Sequence, residues 1–330
     1  MKVLVIGNEE RYKKFMPQDL NVLKHFEVVF HALGTSNTDI LKNGKDAEII
    51  AADAIAKIDR ELIEGMPDLK LIHSEGVAYN GIDIETAKEK GVYVCNCKGI
   101  NAGSVAEQAI LLMLALIRYF PEGQKALLEG KQIQFKEQVM VRGMKELSDM
   151  KVGFIGFGDI AKATAKRLYG FESEMYYYTR TRKSEELEEE YHVSYMDLNT
   201  MAKECDIISI HVPVTEETTG MIDKAFLNKM KQTAYLINTA RGEIVNNEDL
   251  REALIEGKIA GAGFDTIAPE PTLKDNPLID LPKEAAKRVV YSPHIGGVST
   301  STFKRGHRSI WQACYDVESG KKPKNIVNGL

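Results

Sequence analysis

Three stretches of the chain set an ionisable side chain just past an apolar run: INTARGEIV (237–245), FDTIAPEP (264–271) and VVYSPHIGG (289–297). Their reactive residues are Arg241, Glu270 and His294. A guanidinium grips a carboxylate with two prongs and polarises a neighbouring carbonyl. An imidazole donates a proton to the carbonyl oxygen, or takes one from a hydroxyl in the reverse direction. A carboxylate on the other ring nitrogen orients the imidazole and favours its charged form near neutrality. His294 stands between a residue that stiffens the backbone, Pro293, and two that let it approach a ligand closely, Gly296 and Gly297. Arg241 directly follows a buried apolar run, so its charge is expected to meet an anion.

A second set belongs to a nucleotide. The strand KVGFI runs into Gly156-Phe157-Gly158-Asp159-Ile160-Ala161 and then a helix-forming stretch. This is the dinucleotide fingerprint in its form ending in alanine. Gly156 permits the tight turn, Gly158 lets a pyrophosphate approach, and Ala161 lets helix and strand pack closely. The free N–H groups of the helix start suit the phosphates. An acid that would bond the ribose hydroxyls is expected about 20 residues on. The next strand, MYYYT, ends instead in Thr179-Arg180-Thr181-Arg182-Lys183. Hydroxyls and a guanidinium there favour a 2′-phosphate, hence NADP(H) over NAD(H), with NAD(H) kept as possible. A nicotinamide donor beside the first set makes hydride transfer to a 2-oxo acid the chemistry these residues fit.

These groups need elements to hold them. In the first hundred residues, short apolar runs at 3–6, 27–30, 48–51, 69–74 and 92–96 alternate with helix-like or polar stretches. A second set lies at 151–156, 175–179, 206–212, 234–239, 261–266 and 288–292, with helices expected at 159–168, 197–204 and 247–256. Such alternation predicts α/β architecture with two doubly wound parallel-sheet domains. Ser104 and Glu107 have capping-box spacing, predicting a helix from Ser104 to about Tyr119, stopped or kinked by Pro121. A last helix over 300–318 is expected to complete the first domain. The boundaries are then 1–100 plus 297–330 and 101–296, and the two crossings predict a cleft and hinge beside His294. The acidic run SEELEEE (184–190) reads as a solvated helix face.

Composition narrows the field. The chain has 330 residues, a net charge of −5, 44% hydrophobic and 28% charged residues. No basic face invites nucleic acid. The longest apolar run, Ala109–Ile117, falls short of the roughly 20 residues a membrane span needs. The start MKVLVIGNEE lacks a signal-peptide core. Cysteines at 95, 97, 205 and 314 match no zinc spacing, so no metal is expected, and a reducing cytoplasm is.

With N-T-A-R-G, D-x-x-x-x-E-P and P-H-I-G-G in order, the chain resembles the D-isomer-specific 2-hydroxyacid dehydrogenases over nearly its whole length. The resemblance implies a flavodoxin-like substrate domain, a Rossmann NAD(P)-binding domain and a cleft between them. It implies that Arg241, Glu270 and His294 are catalytic. By the same route Pro213 and Thr218 line the adenosine side, Thr239 and Ala240 flank the nicotinamide, and Asp265 bonds its carboxamide; His211, at a strand end before Pro213, is read as lining the cofactor cleft, with Val212 beside it as a cofactor contact. The loop Ser74-Glu75-Gly76-Val77 resembles the family's substrate loop, whose N–H groups hold the carboxylate. A homodimer through the nucleotide domain is implied too. Departures from the family are Glu75 for a small residue, Lys98 for a common proline and Gln108 for a common histidine; Glu75 and Lys98 are expected to bear on which acid fits. His73 ends a strand beside the Ser74–Val77 loop and is read as a satisfied loop histidine, with a cleft contact as the alternative. The expected activity is reduction of glyoxylate, hydroxypyruvate or another small 2-oxo acid. Within the class, D-3-phosphoglycerate and D-lactate dehydrogenases stand as alternatives. The rival of another class is a nucleotide-sensing, corepressor-like binding protein.

Overall fold

The computed structural model describes every residue, Met1 to Leu330. The chain divides into two compact units, Met1–Asn101 with Val298–Leu330, and Ala102–Gly297.

The first unit holds a five-stranded sheet in the order β2-β1-β3-β4-β5. Its strands are β1 (Lys2–Ile6), β2 (Glu27–His31), β3 (Ile49–Ala52), β4 (Leu71–Ser74) and β5 (Tyr93–Cys95), all parallel. Parallel strands covered on both faces read as continuous apolar runs, which is why their positions stand out in the sequence. The last helix, Thr300–Glu318, buries Ile310, Trp311 and Cys314 in one core with Val3, Val5, Ile49 and Leu71. This packing makes the unit discontinuous in sequence.

The second unit holds a seven-stranded sheet in the order β12-β11-β10-β9-β6-β7-β8. These strands are β6 (Lys151–Ile155), β7 (Glu174–Tyr178), β8 (Ser194–Tyr195), β9 (Ile207–Ile210), β10 (Tyr235–Asn238), β11 (Gly261–Phe264) and β12 (Val289–Tyr291). Strand order reverses around β6, so the loops after β6 and β9 diverge and leave a crevice at the carboxyl edge. The two-residue β8 is too short to register as a sequence pattern.

Local expectations needed correction at several points. The long helix runs from Ala102 to Ile117, with Ser104 inside it rather than at its cap. Burial of Val105 and Ala106 extends it, and Glu107 pairs with Arg167 of the helix Asp159–Leu168 at 3.1 Å instead of closing a capping box. Pro121 sits in the first turn of a new helix, Phe120–Leu128, after Tyr119 takes the turn with φ of 51°. A further helix, Gln132–Arg142, follows. The acidic run forms the helix Glu185–Tyr191, but Glu188 is not a solvated face residue. It accepts from Tyr177 Oη at 2.7 Å and from Arg182 at 2.9 and 2.7 Å, contacts that hold its carboxyl down to about 2. No single helix is long and apolar enough to cross a membrane.

His73 lies within β4 between Ala51 and Cys95, inside the run expected at 69–74, and is wholly buried. Its Nδ1 is 2.8 Å from the Ser74 carbonyl, and Nε2 has no partner. Burial pushes its pKa down to about 4. The unfolded chain's imidazole titrates near 6.5, so the unfolded state gains the proton first as pH falls. Stability from a neutral His73 is therefore complete above about pH 6.5 and is lost as pH drops towards 4, by up to about 3 kcal/mol. Urea unfolding of wild type and His73→Leu across this window is expected to show a flatter pH dependence in the variant.

Candidate functional site

The residues expected to bind a nucleotide gather at the carboxyl edge of the seven-stranded sheet. Gly156 has φ of +92°, and a Cβ there would lie 2.6 Å from the His211 carbonyl. Only glycine lets the turn after β6 press against the end of β9. Gly158 precedes the helix Asp159–Leu168, whose first turn carries no side-chain cap. A Cβ on Gly158 would meet nothing within 4 Å, so the helix N-terminus opens onto free space. Uncapped N–H groups beside that space fit a pyrophosphate. The Thr239 hydroxyl, buried without a partner, is a second group that suits a bound nucleotide. Asp159 is exposed and Ile160 half-buried, whereas the Phe157 ring is buried with its centroid 4.9 Å from that of Tyr177, leaving only its backbone for a ligand.

The loop after β7 is folded by its own side chains. Thr179 donates to the Thr181 carbonyl at 2.7 Å, and Lys183 N–H donates to Tyr177 Oη at 2.8 Å. Glu188 engages Arg182 with both carboxylate oxygens, while Arg180 is exposed and has no ion pair. After β9, burial pushes the His211 pKa down to about 3 and keeps the ring neutral; Nε2 lies 2.8 Å from Ser209 Oγ. Val212 is half-buried beside it. Thr218 donates to the Pro213 carbonyl at 2.7 Å, which closes that loop on itself.

At the ends of β10, β11 and β12 the structure brings Glu270 and His294 together. His294 Nδ1 lies 2.8 and 2.9 Å from the two Glu270 oxygens, leaving Nε2 as the outer ring nitrogen. Asp265, Glu270 and His294 line one cavity of about 620 Å³. His294 has φ of 52°, a conformation enforced from below. Its N–H donates to the Asp265 carbonyl at 2.8 Å, and the Asp265 carboxylate accepts from Ile295 N–H at 3.0 Å and Gly296 N–H at 2.8 Å. Ser292 Oγ adds a bond at 2.5 Å and itself accepts from Gln108 at 2.8 Å. Gln108 thus supports this turn, a role its sequence position did not reveal. Gly297 closes the segment at the edge of the unit.

Arg241 leaves the end of β10 and is exposed, donating to the Ala240 carbonyl at 2.7 Å. Water reaches the guanidinium, so burial does not oblige it to find an anion; the expectation based on desolvation is corrected. Its turn is shaped by Asn238, wholly buried, which accepts from Ala240 N–H at 3.0 Å and donates to the Arg241 carbonyl at 2.9 Å. The adjacent Gly242 packs on the backbone of Ile267 and Ala268, just before Glu270.

In the first unit, the loop after β4 has a distinctive backbone. The carbonyl of Gly76 accepts from Cys97 N–H at 2.8 Å, that of Val77 from Asn96 Nδ2 at 2.7 Å and that of Ala78 from Ser74 Oγ at 2.6 Å. The N–H groups of Val77 and Ala78 find no acceptor in the protein. Glu75 is 8% exposed and turned inward, so its carboxylate is not offered to a ligand as its sequence position had implied. Lys98 is exposed, with its N–H on Asn96 Oδ1 at 3.2 Å.

Residues 110–296 match the family model described as D-isomer specific 2-hydroxyacid dehydrogenase, NAD binding domain. A glyoxylate reductase of Thermococcus litoralis is 37% identical over 292 residues, 88% of this chain and 86% of that one. A hydroxypyruvate reductase of Thermotoga maritima is 35% identical over 269 residues, 81% of this chain and 83% of that one. Among solved structures, D-lactate dehydrogenase with NAD+ from Lactobacillus jensenii superposes with a TM-score of 0.85 at 25% identity, covering 99% of each chain.

The two glycines of different surroundings make a paired test. A Cβ at Gly242 would fall 2.0 Å from the Ala268 nitrogen, whereas one at Gly158 meets open space. Gly242→Ala is expected to cost about 1–3 kcal/mol of stability through forced backbone movement. Gly158→Ala is expected to stay within about 0.5 kcal/mol. Denaturant unfolding of both variants measures the contrast.

Proposed function

The chain belongs to the D-isomer-specific 2-hydroxyacid dehydrogenase family, and we propose that its reaction is reversible reduction of a small 2-oxo acid with His294 as the acid–base group. As a member it is an oxidoreductase that acts on a CH–OH group with a pyridine nucleotide. The observation that carries the proposal is the Glu270–His294 pair at 2.8 Å, with the outer nitrogen of the ring left free. Glu270 holds Nδ1, so the proton passed to the carbonyl oxygen leaves from Nε2, and in the reverse direction the hydroxyl proton returns there. When bound, the nucleotide supplies or accepts the hydride. Arg241 binds the acid's carboxylate and polarises its carbonyl. The free N–H groups of Val77 and Ala78 are the further donors for that carboxylate; in this reading residues 76–78 act through backbone, not through Glu75.

Gly156, Gly158 and the helix start hold the pyrophosphate, and Asp265, Thr239 and Ala240 adjoin the nicotinamide. NADPH is the favoured cofactor, because β7 ends without an acid and Arg180 is unpaired while Arg182 is committed to Glu188. Glyoxylate and hydroxypyruvate are the first substrates to try, since relatives that carry those names cover most of the chain. The working assembly is a homodimer: helices Phe120–Leu128 and Gln132–Arg142 bury no residue and leave Phe120, Leu128 and Val141 63%, 80% and 91% exposed. Apolar groups so placed favour a partner surface. Four buried free cysteines suit a reducing cytoplasm.

The test mixes protein, NADPH or NADH, and a panel of 2-oxo acids while reduced nicotinamide is followed by absorbance. Turnover with glyoxylate or hydroxypyruvate is expected, with a kcat/KM at least tenfold higher for NADPH, a preference reduced in Arg180→Ser. His294→Ala is expected to lower kcat by about 10²–10⁴-fold without weakening nucleotide binding. Arg241→Ala raises KM for the acid as well as slowing the reaction. Nucleotide binding without turnover would instead identify a sensor. Sedimentation equilibrium at twice the chain mass, shifted towards the monomer by Leu128→Asp with Val141→Asp, checks the assembly.

A further inference from the structure

Residues 76–78 serve the proposed reaction through their backbone, and the side chain before them, Glu75, faces elsewhere. Glu75 is drawn into the first unit, its side chain 5% exposed. Arg11 donates to it from Nε at 2.9 Å and from Nη2, and His307 Nε2 lies 2.9 Å from Oε1. Arg11 Nη2 also reaches Asp53 at 2.5 Å. These partners come from the helix Glu9–Phe15 after β1, the end of β3 and the last helix, Thr300–Glu318. Aromatic rings brace them: Tyr12 meets His307 edge-on at 4.7 Å, Phe303 stacks on Phe15 at 5.1 Å, and the Arg11 guanidinium lies over Phe303 at 5.7 Å.

A carboxylate this buried persists as a charge only with paired charge and hydrogen bonds, and Arg11 supplies both. Its effect passes along the chain. In a trans peptide the carbonyl and the following N–H point in opposite directions. With the Gly76 carbonyl fixed on Cys97, the Val77 N–H must face the other way, and with the Val77 carbonyl fixed on Asn96, so must the Ala78 N–H. Glu75 is the residue from which this pair of peptide planes departs, and its own N–H is tied to the Ala52 carbonyl at 2.7 Å.

We propose that Glu75 is a positioning residue: clamped by Arg11 and His307, it fixes the loop whose two free N–H groups receive the acid's carboxylate. The clamp also keeps a negative side chain turned away from, and neutralised against, the incoming anion. This inference rests on the reading of the loop as a carboxylate receiver.

The experiment uses the full chain as wild type, Glu75→Gln, Arg11→Met and the double variant, each checked for folding by thermal unfolding. Amide hydrogen exchange over residues 74–80 is read without substrate. KM and kcat for the best 2-oxo acid, and the Kd of the reduced nucleotide by its fluorescence, are read beside it. Each single change is expected to speed loop exchange at least tenfold and raise KM at least tenfold, with kcat and nucleotide Kd within twofold. The double variant is expected to be no worse than the worse single one, because both losses remove the same clamp. His307→Gln, which keeps a donor, is expected to hold KM within threefold of wild type where His307→Leu does not. An unchanged KM in folded variants overturns the proposal. So do losses that multiply in the double variant, since Glu75 would then touch the acid independently of Arg11. If wild type turns over no 2-oxo acid with either nucleotide, the functional reading fails, and unchanged or faster exchange still decides whether Glu75 clamps the loop.

Discussion

Asp265 directly follows β11 as a carboxylate 3% exposed, and a charge so placed requires donors around it. It has them: two successive backbone N–H groups, from Ile295 and Gly296, and the Ser292 hydroxyl. The chain must curl around the carboxylate to deliver them, and that curl puts His294 at φ of 52°. A left-handed residue other than glycine costs about 1–2 kcal/mol. Hydrogen bonds to a charged group contribute about 1.5–3 kcal/mol each and offset it. The imidazole is thereby presented to Glu270, and a single buried charge sets the geometry of the Glu270–His294 pair.

The reversal of strand order around β6 has a comparable reach. It separates the loops after β6 and β9 at the carboxyl edge, where β7, β10, β11 and β12 also end. Gly156 lets the chain leave β6 close against the His211 carbonyl before the loops part, and the uncapped helix start beside Gly158 opens next to them. Residues more than a hundred positions apart thus share one edge because every strand of this sheet points the same way.

In the first unit the same logic runs through Glu75 and Arg11. The loop Ser74–Val77 is read as a substrate loop only from its resemblance to the family's. The direction of the Glu75 side chain is not legible, because its partners lie 64 positions before it and 232 after it. The same blindness affected Glu188, whose acidic run looked solvated although Tyr177 and Arg182 close over it, and Ser104, whose capping spacing lost to the burial of Val105 and Ala106.

The sequence by itself determined the positions of every strand but β8 and the glycine turn after β6, and it put forward Arg241, Glu270 and His294 as the candidate trio. Doubly covered parallel strands must be apolar runs, and backbone turns that admit only glycine leave that glycine visible. Tertiary structure alone decided that His294 rests on Asp265 and Gln108, that Arg241 is solvated and that Glu75 turns inward. Those outcomes depend on which groups meet across the fold, and hydrogen bonds and desolvation act over a few ångströms of space whatever the distance along the chain.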